Sequence, residues 1–296
     1  MIWTIIINWK CAEETWACLA SLTPTVDPST VIVIDNGSAD GSVEAIRARF
    51  PAVTLLPIST NLGFAKAANI GIAHALAGGA DGVLLLNNDT TVVPDTVVRL
   101  AEQLAGSDQI GVLSAKVFLT DQPGRLWSVG GVYRDHNVID FGSGELDQGQ
   151  FDHAQLDFVY GCAMLLNARM LYAIGGFDER FFMYYEDVDL CLRARAAGYE
   201  VALAPDAHVW HLGSRSTSAK PGLKLYYEAR SRQLFYAKHL SGPERLRFYG
   251  SEVRYIIALT LQRLRAGNPG GALAYLRGCF AALACLYLAA DDRRYS

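Results

Sequence analysis

Val83-Leu84-Leu85-Leu86-Asn87-Asn88-Asp89-Thr90 is the stretch on which the reading of this chain turns. Four consecutive apolar residues suit a strand covered on both faces, because a half-exposed strand would alternate. The run stops abruptly in two amides and a carboxylate, with Pro94 soon after. In an open α/β sheet, ligands collect beyond the carboxyl ends of the strands. An acid on such a rigid strand end can hold a hard divalent cation through oxygen. A plain polar turn, with Asn and Asp bonding their own backbone, accounts for the same residues equally well. The neighbouring segments have to decide.

Upstream, Ile2–Ile7 reads as a strand ending in Asn8-Trp9, followed by a helix over about 13–22. Val31–Ile34 is a second buried strand, running into Asp35-Asn36-Gly37-Ser38-Ala39-Asp40-Gly41-Ser42, where Asp40 or Ser42 can cap a helix reaching about Phe50. Val53–Leu56 is a third strand, and after Asn61-Leu62-Gly63-Phe64 a helix covers about 65–77. Strands alternating with helices predict an α/β fold with a doubly wound, mostly parallel sheet and helices on both faces. Every polar cluster then falls on one sheet edge. Asp35 there can accept hydrogen bonds from a nucleobase or ribose, although Asp-Asn-Gly is also a strong turn former. Neither a G-x-G-x-x-G loop nor a P-loop is present, which counts against a dinucleotide enzyme or an NTPase.

Downstream, Val112–Val117 is another strand, and the Gly-rich stretch 124–149 has the composition of a binding loop or lid, with a small hairpin around Asp135-His136-Asn137. Phe158–Leu166 returns to the core as a strand, and a short helix over 170–174 is stopped by Gly175-Gly176. Then aromatic residues crowd against acids in Phe177-Asp178-Glu179-Arg180-Phe181-Phe182-Met183-Tyr184-Tyr185-Glu186-Asp187-Val188-Asp189-Leu190. Helical spacing from about Asp187 puts Glu186 and Asp187 at a helix N-terminus, where the dipole favours their ionised forms. Asp189 lies four residues before Arg193, which suits a structural helical pair. A carboxylate walled by aromatics is suited to general-base work, while acidic N-capping is the simpler use of the same residue. Val201–Leu203 is a further strand, and His211 is followed by Gly-Ser-Arg215-Ser, a composition that suits a diphosphate and its cation.

The 296 residues, 51% hydrophobic and 19% charged, are enough for one large domain or a domain with an appendage. Charge divides them unevenly. Through Leu212 there are 12 Lys+Arg against 25 Asp+Glu, and beyond it 14 against 5, which together give the net −4. An acidic body thus carries a basic tail, expected over 224–296 as amphipathic helices near 225–240, 245–265 and 271–290. Such helices pack on the body or lie in a membrane interface; without a basic-aromatic sheet motif, nucleic acid is not an expected partner. The six cysteines form no CxxC pair and read as small core residues of a reducing compartment. A strand beginning almost at residue 1 and the lack of eighteen uninterrupted apolar residues predict a cytoplasmic protein without a secretory signal or spanning helix.

Together, Val33-Ile34-Asp35-Asn36-Gly37-Ser38-Ala39-Asp40-Gly41, Asn61-Leu62-Gly63-Phe64, Leu86-Asn87-Asn88-Asp89, Gly176-Phe177-Asp178-Glu179 and Phe182–Leu190 resemble family 2 glycosyltransferases of the GT-A fold, near the bacterial rhamnosyltransferase-like branch. The likeness covers about residues 1–216 and extends more weakly through Tyr226-Tyr227-Glu228-Ala229-Arg230. It implies a GT-A domain over 1–223, a helical extension over 224–296, and inverting transfer of a sugar from a nucleoside diphosphate donor, deoxythymidine-diphosphate rhamnose first, to a glycan or lipid-linked acceptor hydroxyl in cell-surface polysaccharide synthesis. In that resemblance Asp35, Asn36, Ser38, Asn61, Gly63, Asn69, Asn88 and Arg215 bind donor. Asp89 and His211 hold Mg²⁺ or Mn²⁺, Asp187 is the base, and Asp178 and Glu186 lie on the acceptor side. Asn87 departs from the first Asp of the DxD pattern, which implies weak cation binding without donor. The basic extension would touch the cytoplasmic face of the inner membrane; the oligomeric state, a dimer included, stays open. Two other classes fit the fold: a non-catalytic sugar-nucleotide-binding or scaffolding module, against which the full acid set speaks, and a nucleotidyltransferase, whose Gly-rich triphosphate loop is missing.

Overall fold

Strand β1 (Ile2–Asn8) is the axis of the sheet: it pairs in parallel with β2 (Val31–Asn36) on one side and β4 (Gly82–Asn87) on the other. The computed structural model describes residues 1–213 and 221–291. Both neighbours of β1 are buried almost throughout, as continuous apolar runs require when helices cover both faces. Strand β3 (Thr54–Ile58), which carries Pro57, takes the edge beyond β2, where a missing N–H costs least. Helices α1 (Ala12–Leu22), α2 (Ser42–Arg49) and α3 (Phe64–Ala77) make the crossovers. The registers align Asn8 with Asp35 and Ile7 with Asn87, so the polar strand ends meet along one edge.

Beyond β4 the sheet becomes mixed. Its full order is β3-β2-β1-β4-β10-β6-β11-β5, with β7 (Leu126–Ser128) also on β6. Strand β10 (Ala163–Asn167) runs antiparallel to β4 and β6 (Ile110–Leu119); β11 (Glu200–His211) is parallel to β6 and antiparallel to β5 (Thr90–Val92). Helices α4 (Thr96–Ala105), α5 (Ala168–Ile174) and α6 (Glu186–Ala196) complete this half. Two strands differ from their sequence expectation. The one read as 158–166 begins only at Ala163, and the one read as 201–203 extends to His211. A register shift between Ala204 and His208 absorbs Pro205 as a bulge rather than a stop, which carries His211 to the site edge.

The stretch 124–149 is anchored rather than lid-like. Strands β8 (Gly130–Arg134) and β9 (Asn137–Phe141) form the expected hairpin, turning at Asp135 and His136 with positive φ. Buried Lys116 of β6 holds both oxygens of Asp147 at 2.9 Å and Asp152 at 2.5 Å. A desolvated ammonium bonded to two carboxylates pins the loop to the sheet.

Two compact units divide the chain: Met1–Phe177 with Asp187–Ser216, and Asp178–Glu186 with Thr217–Ser296. In the second, helices α7 (Pro221–His239), α8 (Gly242–Arg265) and α9 (Pro269–Asp291) match the three expected from the basic tail. Gly278 lets α9 approach α7 closely, since a Cβ there would lie 2.2 Å from the Tyr226 carbonyl oxygen. Arg232 bonds both oxygens of buried Glu252 at 3.0 Å and lies over the Tyr236, Phe248 and Tyr255 rings. The 178–186 segment packs within this unit: Lys238 bonds Asp178, Ser231 donates to the Met183 carbonyl, and Phe182 stacks on Tyr227. The apolar run of helix α9 is interrupted by Arg277, as the sequence shows. Pro269–Leu286 reaches a mean hydropathy of 1.3 over 18 residues, long and apolar enough to cross a membrane by composition, with a third of that window buried. All six cysteines are free, four of them buried.

Candidate active site

Asp35, the penultimate residue of β2, is almost fully buried, and its carboxylate is oriented before any ligand arrives. Asn8 Nδ2 donates to Oδ1 at 2.7 Å, Ser38 Oγ to Oδ1 at 2.5 Å, and the Ser38 backbone N–H to Oδ2 at 3.1 Å. Gly37 turns the chain at φ +73°, and a Cβ there would lie 2.5 Å from the Thr60 carbonyl carbon, so only glycine fits. Asn36, expected at the donor, has three bonds within the protein. Its amide donates to Asn61 Oδ1 and the Gly63 carbonyl and accepts from the Leu62 N–H, which stitches the 61–63 loop to the strand. Asn61 in turn accepts from the Gly63 N–H at 2.8 Å, at the start of α3.

Asn69, expected at the donor, exchanges both amide bonds with the Phe177 backbone, at 2.9 and 2.8 Å. Gly176 must be glycine beside it, as a Cβ would meet Asn69 Oδ1 at 2.3 Å. Asp189 pairs with Arg193 at 2.9 Å, and Arg193 also donates to the Ile174 and Gly176 carbonyls. Arg215 lies outside the described residues.

At the end of β4, Asn88 Nδ2 donates to Thr15 Oγ1 and the Cys11 carbonyl. Asp89 Oδ1 stands 3.1 Å from His211 Nε2, and Asn87 Nδ2 lies 3.4 Å from the same nitrogen. His211 is buried, and its Nδ1 has no hydrogen-bond partner among the described residues. The Trp127 ring sits edge-on to the imidazole, with centroids 4.7 Å apart, and Tyr160 packs on Trp127 in turn. A carboxylate oxygen and an imidazole nitrogen suit Mn²⁺ or Mg²⁺ as a partial ligand set. No cluster of three His, Cys, Asp or Glu side chains capable of holding a metal occurs among the described residues. These residues therefore fit a cation completed by other oxygens, such as those of a diphosphate.

Asp187 begins the sheet unit's share of α6. Its Oδ2 accepts from the Gly161 N–H at 3.1 Å and its Oδ1 from the Val188 N–H at 2.8 Å. Burial nevertheless pushes this carboxyl above the ordinary aspartate range, outweighing the backbone N–H groups that pull it down. The dipole argument alone pointed the other way; desolvation wins. Next to Gly161, the Cys162 thiol is raised first by burial and then by the charges of Asp187 and Asp89. The Cys162 carbonyl also accepts from the Asn87 N–H at 3.0 Å. Asp178 and Glu186 belong to the helical unit. Burial would raise Asp178, but bonds from Arg180 and Lys238 hold it well below the usual carboxylate range, which makes it an anchor and a poor base.

Over residues 4–235 the chain matches the model described as "Glycosyltransferase like family 2". The chain belongs to glycosyltransferase family 2. It is therefore a glycosyltransferase, and among family 2 relatives it is similar to the N-acetylglucosaminyl-diphospho-decaprenol L-rhamnosyltransferase of Mycobacterium tuberculosis, 31% identical over 76% of this chain and 80% of that protein. The dTDP-rhamnosyl transferase RfbF of Shigella flexneri is 21% identical over 71% of each chain. In fold the chain resembles the mannosyltransferase PcManGT from Pyrobaculum calidifontis, solved with GDP-Man and Mn²⁺ (TM-score 0.57, 17% identity, 98% of this chain and 79% of that one). It also resembles S. aureus TarS 1-349 in complex with UDP-GlcNAc (TM-score 0.52, 18% identity, 82% and 69%). The expected GT-A glycosyltransferase fold is thus found, with its mixed sheet half and a C-terminal helical part.

Four residues of the site escaped the sequence reading. Asn8 had a cue, because it ends an apolar run as Asn87 does. Thr15 inside a helix, and Trp127 and Tyr160 in the Gly-rich region and at a strand's approach, had none.

Proposed function

We propose that this family 2 enzyme transfers a sugar, with inversion, from a nucleoside diphosphate donor to a hydroxyl of a glycan or lipid-linked acceptor in cell-surface polysaccharide synthesis. The observation that carries the reading is the convergence at residues 161–162: the Gly161 N–H donates to the buried Asp187 carboxylate at 3.1 Å, and the Cys162 carbonyl accepts from Asn87, two residues before the Asp89 that meets His211 at 3.1 Å. Asp35 accepts from the base or ribose. Asp187 removes the acceptor hydroxyl proton as that oxygen bonds the anomeric carbon and the bond from that carbon to the diphosphate breaks on the opposite face. A raised pKa brings the base nearer to the hydroxyl it must deprotonate, so its proton affinity is better matched to the task. Asp89 and His211 would hold Mg²⁺ or Mn²⁺, which supplies charge neutralisation to the departing diphosphate.

The rhamnosyltransferase relatives make dTDP-rhamnose the first donor to test. A lipid-linked acceptor favours work at the cytoplasmic face of a membrane. In support, α8 exposes Leu246, Val253, Ile257, Leu261 and Leu264 at helical spacing, with Arg247, Arg254 and Arg265 also exposed along it. Sedimentation with anionic and neutral vesicles tests that contact; equal failure to bind both would remove it. For the donor, thermal shift across sugar nucleotides with Mn²⁺, followed by a transfer assay, is decisive. The true donor stabilises the fold by mass action, and no shift with any of them would count against the reading.

A further inference from the structure

One chain of hydrogen bonds joins the Asp35 carboxylate to the turn that carries Asp89. Asn88 Nδ2 donates to Thr15 Oγ1 at 3.2 Å, Thr15 Oγ1 to Asn8 Oδ1 at 2.8 Å, and Asn8 Nδ2 to Asp35 Oδ1 at 2.7 Å. Its direction is forced from the Asp35 end. A carboxylate only accepts, so Asn8 must turn its NH₂ toward Asp35 and its carbonyl toward Thr15. Thr15 must then donate to that carbonyl, and its lone pairs are left for the Asn88 amide. The Cys11 carbonyl, 2.9 Å from Thr15 Oγ1, competes for the same proton. Losing that competition would leave the Asn8 carbonyl unpaired in a fully buried position, which is the costlier arrangement. Bonds aligned donor to acceptor polarise one another, and this chain ends on an anion, where that effect is greatest.

Asn8 and Thr15 have no exposed surface, so neither can touch a ligand. Their side chains nonetheless connect β1, α1, β2 and the end of β4, the elements that carry the two ends of the donor site proposed above. We infer that Asn8 and Thr15 are positioning residues that couple the nucleoside end of the donor site, at Asp35, to the diphosphate end, at Asn88–Asp89. The inference rests on that donor reading. Removing the amide at residue 88 frees Thr15, lets its proton pass to the Cys11 carbonyl, and loosens Asn8 against Asp35. Binding at Asp35 then weakens although nothing near Asp35 has been altered.

The test uses the full chain with uridine and thymidine, nucleosides without phosphate, in the absence of divalent cation, by ligand-observed NMR titration. Asn88→Ala is expected to weaken whichever nucleoside binds by about fivefold, the lower end of typical coupling between sites. Thr15→Val should weaken it similarly, and in the double variant the two losses should not add. Thr15→Ser, which keeps the hydroxyl, should retain the parent affinity. A merely structural Thr15 would lower the melting temperature without making nucleoside affinity depend on residue 88. Parent-like nucleoside affinity in Asn88→Ala, or full additivity, overturns the relay alone. Should the parent bind neither nucleoside nor dTDP and UDP with Mn²⁺, the donor reading fails and takes the relay with it. If Thr15→Val does not fold, Asn88→Ala still decides, because residue 88 lies on a partly exposed turn.

Discussion

His211 Nε2 stands 3.1 Å from Asp89 Oδ1, which joins the last residue of β11 to the turn after β4 across 122 positions of sequence. Among the described residues no third His, Cys, Asp or Glu joins them in a metal-holding group, so a cation held there would need donor oxygens. Calorimetry should find weak Mn²⁺ binding to the free protein and much tighter binding with dTDP or UDP present. His211→Ala or Asp89→Ala should weaken the nucleotide-assisted binding by at least about tenfold, on the scale of losses seen when metal-site residues are removed. Tight Mn²⁺ binding to the free protein would contradict this arrangement.

Asp187→Asn should reduce turnover by roughly 10²–10⁴-fold, the usual contribution of a general base, while donor affinity stays near that of the parent. Retained turnover would shift the role toward Glu186, since the bonds from Arg180 and Lys238 leave Asp178 too little proton affinity for a base.

The raised Asp187 carboxyl has two pH consequences. Activity should fall on the acid side at a pH above the ordinary aspartate value of about 3.9, because the base must be ionised to act. For stability the folded state binds this proton more tightly than the unfolded chain, so the ionised form is penalised above the raised value and the penalty fades as pH falls through it. Relative to Asp187→Asn, the parent should therefore gain melting temperature as the pH is lowered from neutral through the raised value toward the ordinary aspartate value of about 3.9. A constant difference between the two would contradict the raised value.

Gly37→Ala places a methyl 2.5 Å from the Thr60 backbone at φ +73°. The strain should cost on the order of 1–3 kcal/mol and push the 60–63 loop away from Asn36, beside Asp35. Denaturation and donor titration should both register it.

In the helical unit, Glu252→Ala leaves the Arg232 guanidinium without its carboxylate beside three aromatic rings. Breaking a buried pair on one side costs about 3–5 kcal/mol, whereas replacing both partners by apolar residues is often neutral. The pair Arg232→Met with Glu252→Leu should thus recover most of what Glu252→Ala loses in chemical denaturation.

Much of this was legible in the residues themselves. Continuous apolar runs at 31–34 and 83–86, each ended by Asn and Asp, specify buried parallel strands and the edge on which their polar ends collect, because covering both faces of a strand leaves no room for alternation. The Asp189–Arg193 pair and the three C-terminal helices followed from helical spacing alone. Local periodicity reports which face of an element is buried. It does not report which distant atom a polar side chain will meet.

Tertiary structure decided those partners. Asn36, Ser38 and Asn69 look alike in a sequence, as small polar residues near a binding edge. Packing assigns Asn36 to the 61–63 loop, Ser38 to Asp35 and Asn69 to the Phe177 backbone. It also carried β11 through Pro205 to deliver His211, and raised Asp187 by burial where the helix dipole pointed down. The physical reason is range: propensity and periodicity act within a few residues, whereas desolvation and hydrogen-bond satisfaction depend on what the fold brings within about 3 Å. Composition and pattern determined the sheet and the edge on which its polar strand ends collect; contacts between residues far apart in the chain determined that Asn8 and Ser38 orient Asp35, that Arg180 and Lys238 hold Asp178, and that burial raises Asp187.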